Sequence, residues 1–235
     1  MPTLFQSRST RDVRMMIRGA QVCAELIVPL DVRGLVILAY PTGNSRRHPK
    51  QQHVVDLLND AGLATLFCDL LTIEEELLSE ITGEFRHDVQ LLSARLIDVT
   101  DWCHADPMLC GLPIGYLGAG AGAAAAFCAA AKRPELVKAI VVKGGRLDLA
   151  WTSLAKVKAP VLLIAGEHDD ERRKSYEVGL PHIGSEHKEI AIIARAGALF
   201  CDPEMLDEYA LRAAQWFAQH VGADADVVAA WSWEI

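Results

Sequence analysis

Residues 112–122, LPIGYLGAGAG, constrain this chain more than any other stretch. An apolar run ends in glycines at alternate positions, Gly118, Gly120 and Gly122, and passes directly into an alanine-rich segment reaching Lys132. That pattern predicts a strand, a turn too tight for side chains, and a helix packed closely on the strand. The motif Gly-x-Ser-x-Gly places a reactive serine at the tip of such a turn. Here Gly118 and Gly122 frame the motif but the middle residue is Gly120. Glycine reaches the strained backbone of this turn at little steric cost, so positive φ is predicted at Gly120. It also has no atom with which to attack a carbonyl. Serine-hydrolase chemistry is excluded at that point.

Other apolar runs fall at residues 12–17, 22–28, 34–39, 63–69, 139–143, 161–165 and 189–194, which with 114–118 makes eight strands. The central ones are unbroken Val/Ile/Leu/Ala, as in parallel strands covered on both faces. Helical spacing joins Gln52, Val55, Leu57 and Leu58. It also joins Leu91, Leu92, Leu96, Ile97 and Trp102, and then Met205, Leu206, Tyr209, Ala213, Trp216 and Phe217 in a final helix. Two leading strands followed by alternation of strand and helix give an α/β fold, a mostly parallel sheet with an antiparallel start and helices on both faces. No repeat or Pro/Gly/Ser-rich linker divides the chain, so residues 1–235 are expected to form one domain, with 223–235 as a tail. The segment between Gly144 and Ala159 is too short for a lid domain. Trp231 and Trp233 suggest a tail docked on its own domain or on a partner subunit, so a homo-oligomer is compatible with it.

A net charge of −8 with scattered Lys and Arg excludes a general nucleic-acid binder. No run approaches the ~20 apolar residues that span a bilayer, and residues 1–14 lack the apolar core of a signal peptide. A cytoplasmic location, without membrane attachment, is expected. Cys23, Cys68, Cys103, Cys110, Cys128 and Cys201 form no CxxC pair and read as buried free thiols. The cluster Glu167-His168-Asp169-Asp170 lacks ligand-like spacing, so no metal is expected. Glu74-Glu75-Glu76 reads as a solvated acidic turn, and Cys201 as an inert thiol. Gly118-Ala-Gly-Ala-Gly-Ala123 also fits the dinucleotide fingerprint G-x-G-x-x-A, so nucleotide binding at the Gly118–Gly122 turn is an alternative. The acidic ribose partner expected ~20 residues later is missing, since Lys143-Gly-Gly-Arg146 stands there. No cofactor is expected.

The ligand crevice of an open α/β sheet lies at the carboxyl ends of its strands. Tyr40 with Thr42, Ser45, Arg46 and Arg47 follows one strand, Gly120 and Ala121 a second, Lys143 and Arg146 a third, and Asp169 a fourth. Local cations there, beside a helix start, are suited to a small anionic ligand.

From about Val13 to Val221 the chain resembles the dienelactone-hydrolase branch of the α/β-hydrolase superfamily. The anchors are residues 112–122, Lys143 to Ala150, Ala159 to Asp169, and the last loop and helix from Ala194. The resemblance implies an eight-stranded α/β-hydrolase sheet and a triad of nucleophile, acid and histidine in that order. Asp169 stands at the acid position, but Gly120 replaces the nucleophile and Ala198 the histidine. Relatives carry His-Gly after the third strand, helping to form the oxyanion hole. Here Tyr40-Pro41 stands there, and proline has no N–H to donate. A triad acts as a unit, so Asp169 alone has nothing to orient. The expected function is a catalytically degenerate relative, a pseudo-hydrolase, that binds a small ligand or a protein partner. The alternative is a hydrolase or repurposed enzyme acting on a small ester- or lactone-like substrate, with Asp169 as general base and Arg46 and Arg146 holding the substrate.

Overall fold

A computed structural model of the chain describes residues 8–40 and 48–222. Eight strands form one sheet: β1 (Arg8–Ile17), β2 (Ala20–Pro29), β3 (Gly34–Tyr40), β4 (Leu63–Asp69), β5 (Ile114–Ala119), β6 (Val137–Lys143), β7 (Val161–Gly166) and β8 (Lys188–Ile193). Their order is β1-β2-β4-β3-β5-β6-β7-β8. β2 runs antiparallel to both its neighbours, and every pairing from β4 to β8 is parallel. All eight strands predicted from the apolar runs are present. The swap of β3 and β4 is not written in any local pattern. It follows from right-handed crossovers that put helices on both faces.

Seven α-helices are described: α1 (Pro49–Asp60), α2 (Ile73–Thr82), α3 (Val89–Ala105), α4 (Gly120–Ala130), α5 (Trp151–Leu154), α6 (Asp170–Gly179) and α7 (Pro203–His220). α1 and α7 cover one face, burying Val54, Val55, Leu58, Tyr209, Ala213 and Phe217 against alternate residues of β3 to β8. α3 and α4 cover the other, with Leu92, Leu96, Phe127 and the alanines of α4. Period-two side-chain alternation in the strands feeds both cores, which is why β3 and β4 are buried at every position.

α4 shows how composition sets packing. It carries no large side chain before Phe127, so it settles directly on the sheet. A Cβ at Gly118 would stand 2.6 Å from the Ala123 Cα and 3.0 Å from its nitrogen. Overpacking of that kind typically costs about 1–3 kcal/mol. Between β6 and β7 lie only one turn of 3-10 helix (Leu147–Ala150) and the four-residue α5, so no lid domain is inserted between these strands.

Two expectations need correction. Of the six free cysteines only Cys68 and Cys103 are buried, whereas Cys110 and Cys201 are exposed. The acidic turn Glu74–Glu76 is not simply solvated. Glu75 completes a capping box with Thr72 and takes a bidentate ion pair from Arg95, at 2.5 and 2.7 Å. Arg95 is buried on α3 and needs that carboxylate. No described helix is long and apolar enough to cross a membrane.

Candidate functional site at the carboxyl edge of the sheet

At the elbow the sheet delivers β5 to Ala119 in extended conformation, and Gly120 turns the chain with φ +54 into the first turn of α4. The positive φ expected at Gly120 is present. A Cβ built there would meet nothing within 4 Å. Among the described residues, therefore, no side chain has filled the space next to a Cβ at this position. Among the described residues no side chain caps α4, so its first-turn N–H groups, that of buried Ala121 among them, lack an intrahelical partner at the elbow.

The flanking loops are tied to the elbow through backbone bonds. The Arg146 N–H donates to the Gly120 carbonyl at 3.1 Å. The adjacent Gly145 N–H donates to the Tyr176 hydroxyl on α6 at 2.7 Å, and burial pushes the Tyr176 phenol up in pKa. Asp169, half-buried, is the N-cap of α6: its Oδ1 accepts from the Arg172 N–H at 3.2 Å. The loop after β7 is zipped to the loop after β8. His168 N–H donates to Ala196 O at 2.9 Å, and Arg195 N–H donates to the Glu167 carboxylate at 2.7 Å. Gly166 permits this approach, because a Cβ there would lie 2.3 Å from the Ala196 carbonyl oxygen. Ala198 is exposed in that second loop, between Arg195 (φ +60) and Phe200 (φ +48). Two non-glycine residues in the left-handed region within six positions mark a loop held in a strained shape by its surroundings.

The sequence places Arg146 among the local cations of the crevice. Its backbone does adjoin the elbow, but its guanidinium is committed to Asp148 in a two-pronged ion pair at 2.7–3.2 Å. That pair raises Arg146 and lowers Asp148 from their ordinary pKa values. Thr42, Ser45, Arg46, Arg47 and Pro41 lie outside the described residues. Tyr40 is buried at the end of β3, its ring 5.2 Å from that of Phe67. Burial pushes its phenol up to about 12, against the influence of Tyr209 and Gln51 nearby. Lys143, which the sequence places at the crevice, has Phe200 and Tyr209 as neighbours that no local sequence pattern joins to it. The signal available was a lysine closing an otherwise apolar strand, VKAIVVK. Its amine lies 5.0 Å from the Phe200 ring centre and 5.6 Å from that of Tyr209.

A second concavity of about 490 Å³ opens between β8 and α7 at the far end of the sheet, beside His187, Trp216 and His220. It contains no elbow residue. Among the described residues no cluster of His, Cys, Asp and Glu is disposed to hold a metal ion.

A solved structure, a dienelactone hydrolase from Anabaena variabilis ATCC 29413, shares 39% identity with this chain. It superposes with a TM-score of 0.87 over 91% of this chain and 99% of that one. The chain belongs to the dienelactone hydrolase family. The fold recurs in a dienelactone hydrolase-like promiscuous phosphotriesterase from metagenomic libraries, at 17% identity, TM-score 0.71, and coverage of 92% and 99% of the two chains. Among curated proteins, a Mycobacterium tuberculosis protein named "Putative phosphoribosyl transferase" is 38% identical over 213 residues. That alignment takes in 89% of this chain and 46% of the relative, so the chain spans about half the length of the curated relatives it matches. No family model matches the chain. Within the dienelactone hydrolase family, this member has Gly120 at the elbow, Asp169 after β7 and Ala198 after β8.

Proposed function

We propose that this protein is a non-hydrolytic dienelactone-hydrolase relative that binds a small ligand in the crevice at the carboxyl edge of its sheet. The observation carrying this reading is the elbow, which keeps its turn at φ +54 around an open space that holds no nucleophile. Acyl transfer needs a nucleophile, a base to take its proton, and donors for the oxyanion. Gly120 and Ala198 supply neither of the first two. The donors of α4's first turn survive, and they suit a bound oxygen as well as a transient one. The rival in which Asp169 acts as general base is disfavoured by the use of its carboxylate to cap α6. In this reading the activity named for the M. tuberculosis relative belongs to the part of that protein outside the alignment, because the aligned part is the hydrolase sheet.

The test is direct. The wild-type protein should leave a fluorophosphonate probe unreacted and should hydrolyse p-nitrophenyl acetate, lactone and thioester panels no faster than heat-denatured protein. A stoichiometric adduct on any serine, or saturable turnover, would overturn the reading.

A further inference from the structure

The carboxyl edge contains a polar cluster that the triad positions do not use. Lys143 closes β6 in register with Ala119, the residue before the elbow glycine, so its amine stands one strand from the turn. Period-two alternation points Tyr40 and Lys143 to the same face of the sheet, the one covered by α1 and α7. There Phe200 and Tyr209, ring centres 5.6 Å apart, form the platform beneath the Lys143 amine. The hydroxyls of Tyr40 and Tyr209 and the side-chain oxygen of Gln51 are buried together; Tyr209 and Gln51 both act on the Tyr40 phenol, yet among the described residues none of the three oxygens has a hydrogen bond of ordinary geometry.

Burial of this kind is expensive unless something answers it. Aromatic faces replace only part of the water that an ammonium loses. Burial, followed by the charge of Lys50, lowers the Lys143 pKa, and among the described residues Cys201 and not a carboxylate acts in the opposite direction. What the cluster lacks is a negatively charged acceptor of hydrogen bonds. Lys143 itself is only half-buried, and Cys201 beside it is exposed.

We propose that Lys143, seated on the Phe200 and Tyr209 rings beside the buried hydroxyls of Tyr40 and Tyr209, binds the oxyanion of a small organic ligand, a carboxylate or a phosphate. This rests on the ligand-binding reading above and names the group that recognises the ligand. The amine supplies the charge, and the tyrosine hydroxyls next to it supply further donors to the oxygens. A charge-assisted hydrogen bond of this kind is the strongest polar contact the crevice offers.

Benzoate, phenyl phosphate and inorganic phosphate would be titrated at constant ionic strength, with benzamide as the uncharged control, and affinity read from the melting temperature. Either aromatic anion should stabilise the wild type while benzamide does not, and comparison of the two decides between carboxylate and phosphate. Lys143→Met should weaken the bound anion at least about tenfold, Lys143→Arg less, and Tyr209→Phe by a few-fold. A measurement on wild-type protein avoids dependence on folded variants: bound benzoate or phenyl phosphate should slow acetylation of Lys143 by acetic anhydride relative to the other lysines, read by mass spectrometry. The proposal fails if no anion outperforms benzamide, or if Lys143→Met retains wild-type affinity, or if Lys143 acetylates equally with and without the anion. None of these results bears on the fluorophosphonate experiment, so failure of this site is distinguishable from failure of the non-hydrolytic reading.

Discussion

Gly118 and Gly120 sit two residues apart and are glycines for different reasons. Gly118 is glycine because of its neighbour: α4 approaches to 2.6 Å of where its Cβ would be. Gly120 is glycine because of its own backbone, at φ +54 with open space around the missing side chain. The two causes give different mutational signatures. Gly120→Ala and Gly120→Ser should each lower stability by about 1–2 kcal/mol, the cost of a left-handed L-residue, and by similar amounts because nothing crowds either side chain. Gly118→Ala should add a packing penalty of about 1–3 kcal/mol and force α4 outward. Urea denaturation of the three variants checks this. A Gly120→Ser variant as stable as wild type would remove the strain account. The conformational demand at Gly120 is visible in sequence because a framed glycine turn between strand and helix has few alternatives. The pairing of Arg146 with Asp148 is not visible, because neighbouring opposite charges point the same way whether or not they meet.

α2 is a helix that apolar burial does not hold. Ile73, Leu77 and Ile81 form a stripe at i, i+4, i+8, yet they are 72%, 57% and 85% exposed, and Ser79 is its only buried residue. Its fixings are polar: the Thr72–Glu75 capping box, the Arg95 guanidinium on Glu75, and Ser79 Oγ accepting from the Arg86 N–H at 2.9 Å. Arg95 is the vulnerable partner, being 3% exposed with its Nε already unpartnered among the described residues. Glu75→Gln keeps a capping-box residue but removes the charge, and should cost about 2–3 kcal/mol by leaving a buried guanidinium unanswered. The Arg95 hydrogen bonds hold the Glu75 carboxyl below its ordinary value. A depressed pKa contributes stability that is fully present above the unfolded-state value, about 4.3, and is lost as pH falls through the folded one. Amide exchange in α2 should therefore accelerate below about pH 4 in wild type and be fast at neutral pH in Glu75→Gln. Equal protection in the two proteins at pH 7 would show that the ion pair does not hold the helix. The strands were readable because their apolar runs are buried on both faces. α2 was not, since its stripe reaches no core and its anchor, Arg95, lies twenty residues further along the chain.

At the scale of the whole molecule, the sheet draws the loops of Gly120, Asp169 and Ala198 to one edge. β5 brings the elbow to the carboxyl edge, and Gly166 lets the loop of Asp169 touch the loop of Ala198. Arg146 and Tyr176 tie the elbow to α6. The non-hydrolytic reading proposed above then implies that hydrolytic chemistry can be introduced by replacing side chains alone. Gly120→Ser with Ala198→His recreates nucleophile, acid and base in the order of the fold. The double variant should gain weak p-nitrophenyl acetate hydrolysis and fluorophosphonate labelling at residue 120, whereas each single variant should gain essentially none, since triad members act together. Three features limit the gain. A serine at φ +54 is strained, Asp169 must cap α6 while orienting a histidine, and Tyr40-Pro41 withholds an oxyanion donor of a kind whose loss typically removes ~10²–10³ in rate. Adding Tyr40→His and Pro41→Gly should therefore raise activity further if the third of these dominates. A well-folded fourfold variant that stays silent toward the probe would mean that the loops, although still zipped together, no longer converge on one point. The crevice would then be organised around the polar group at Lys143 and not around the former triad.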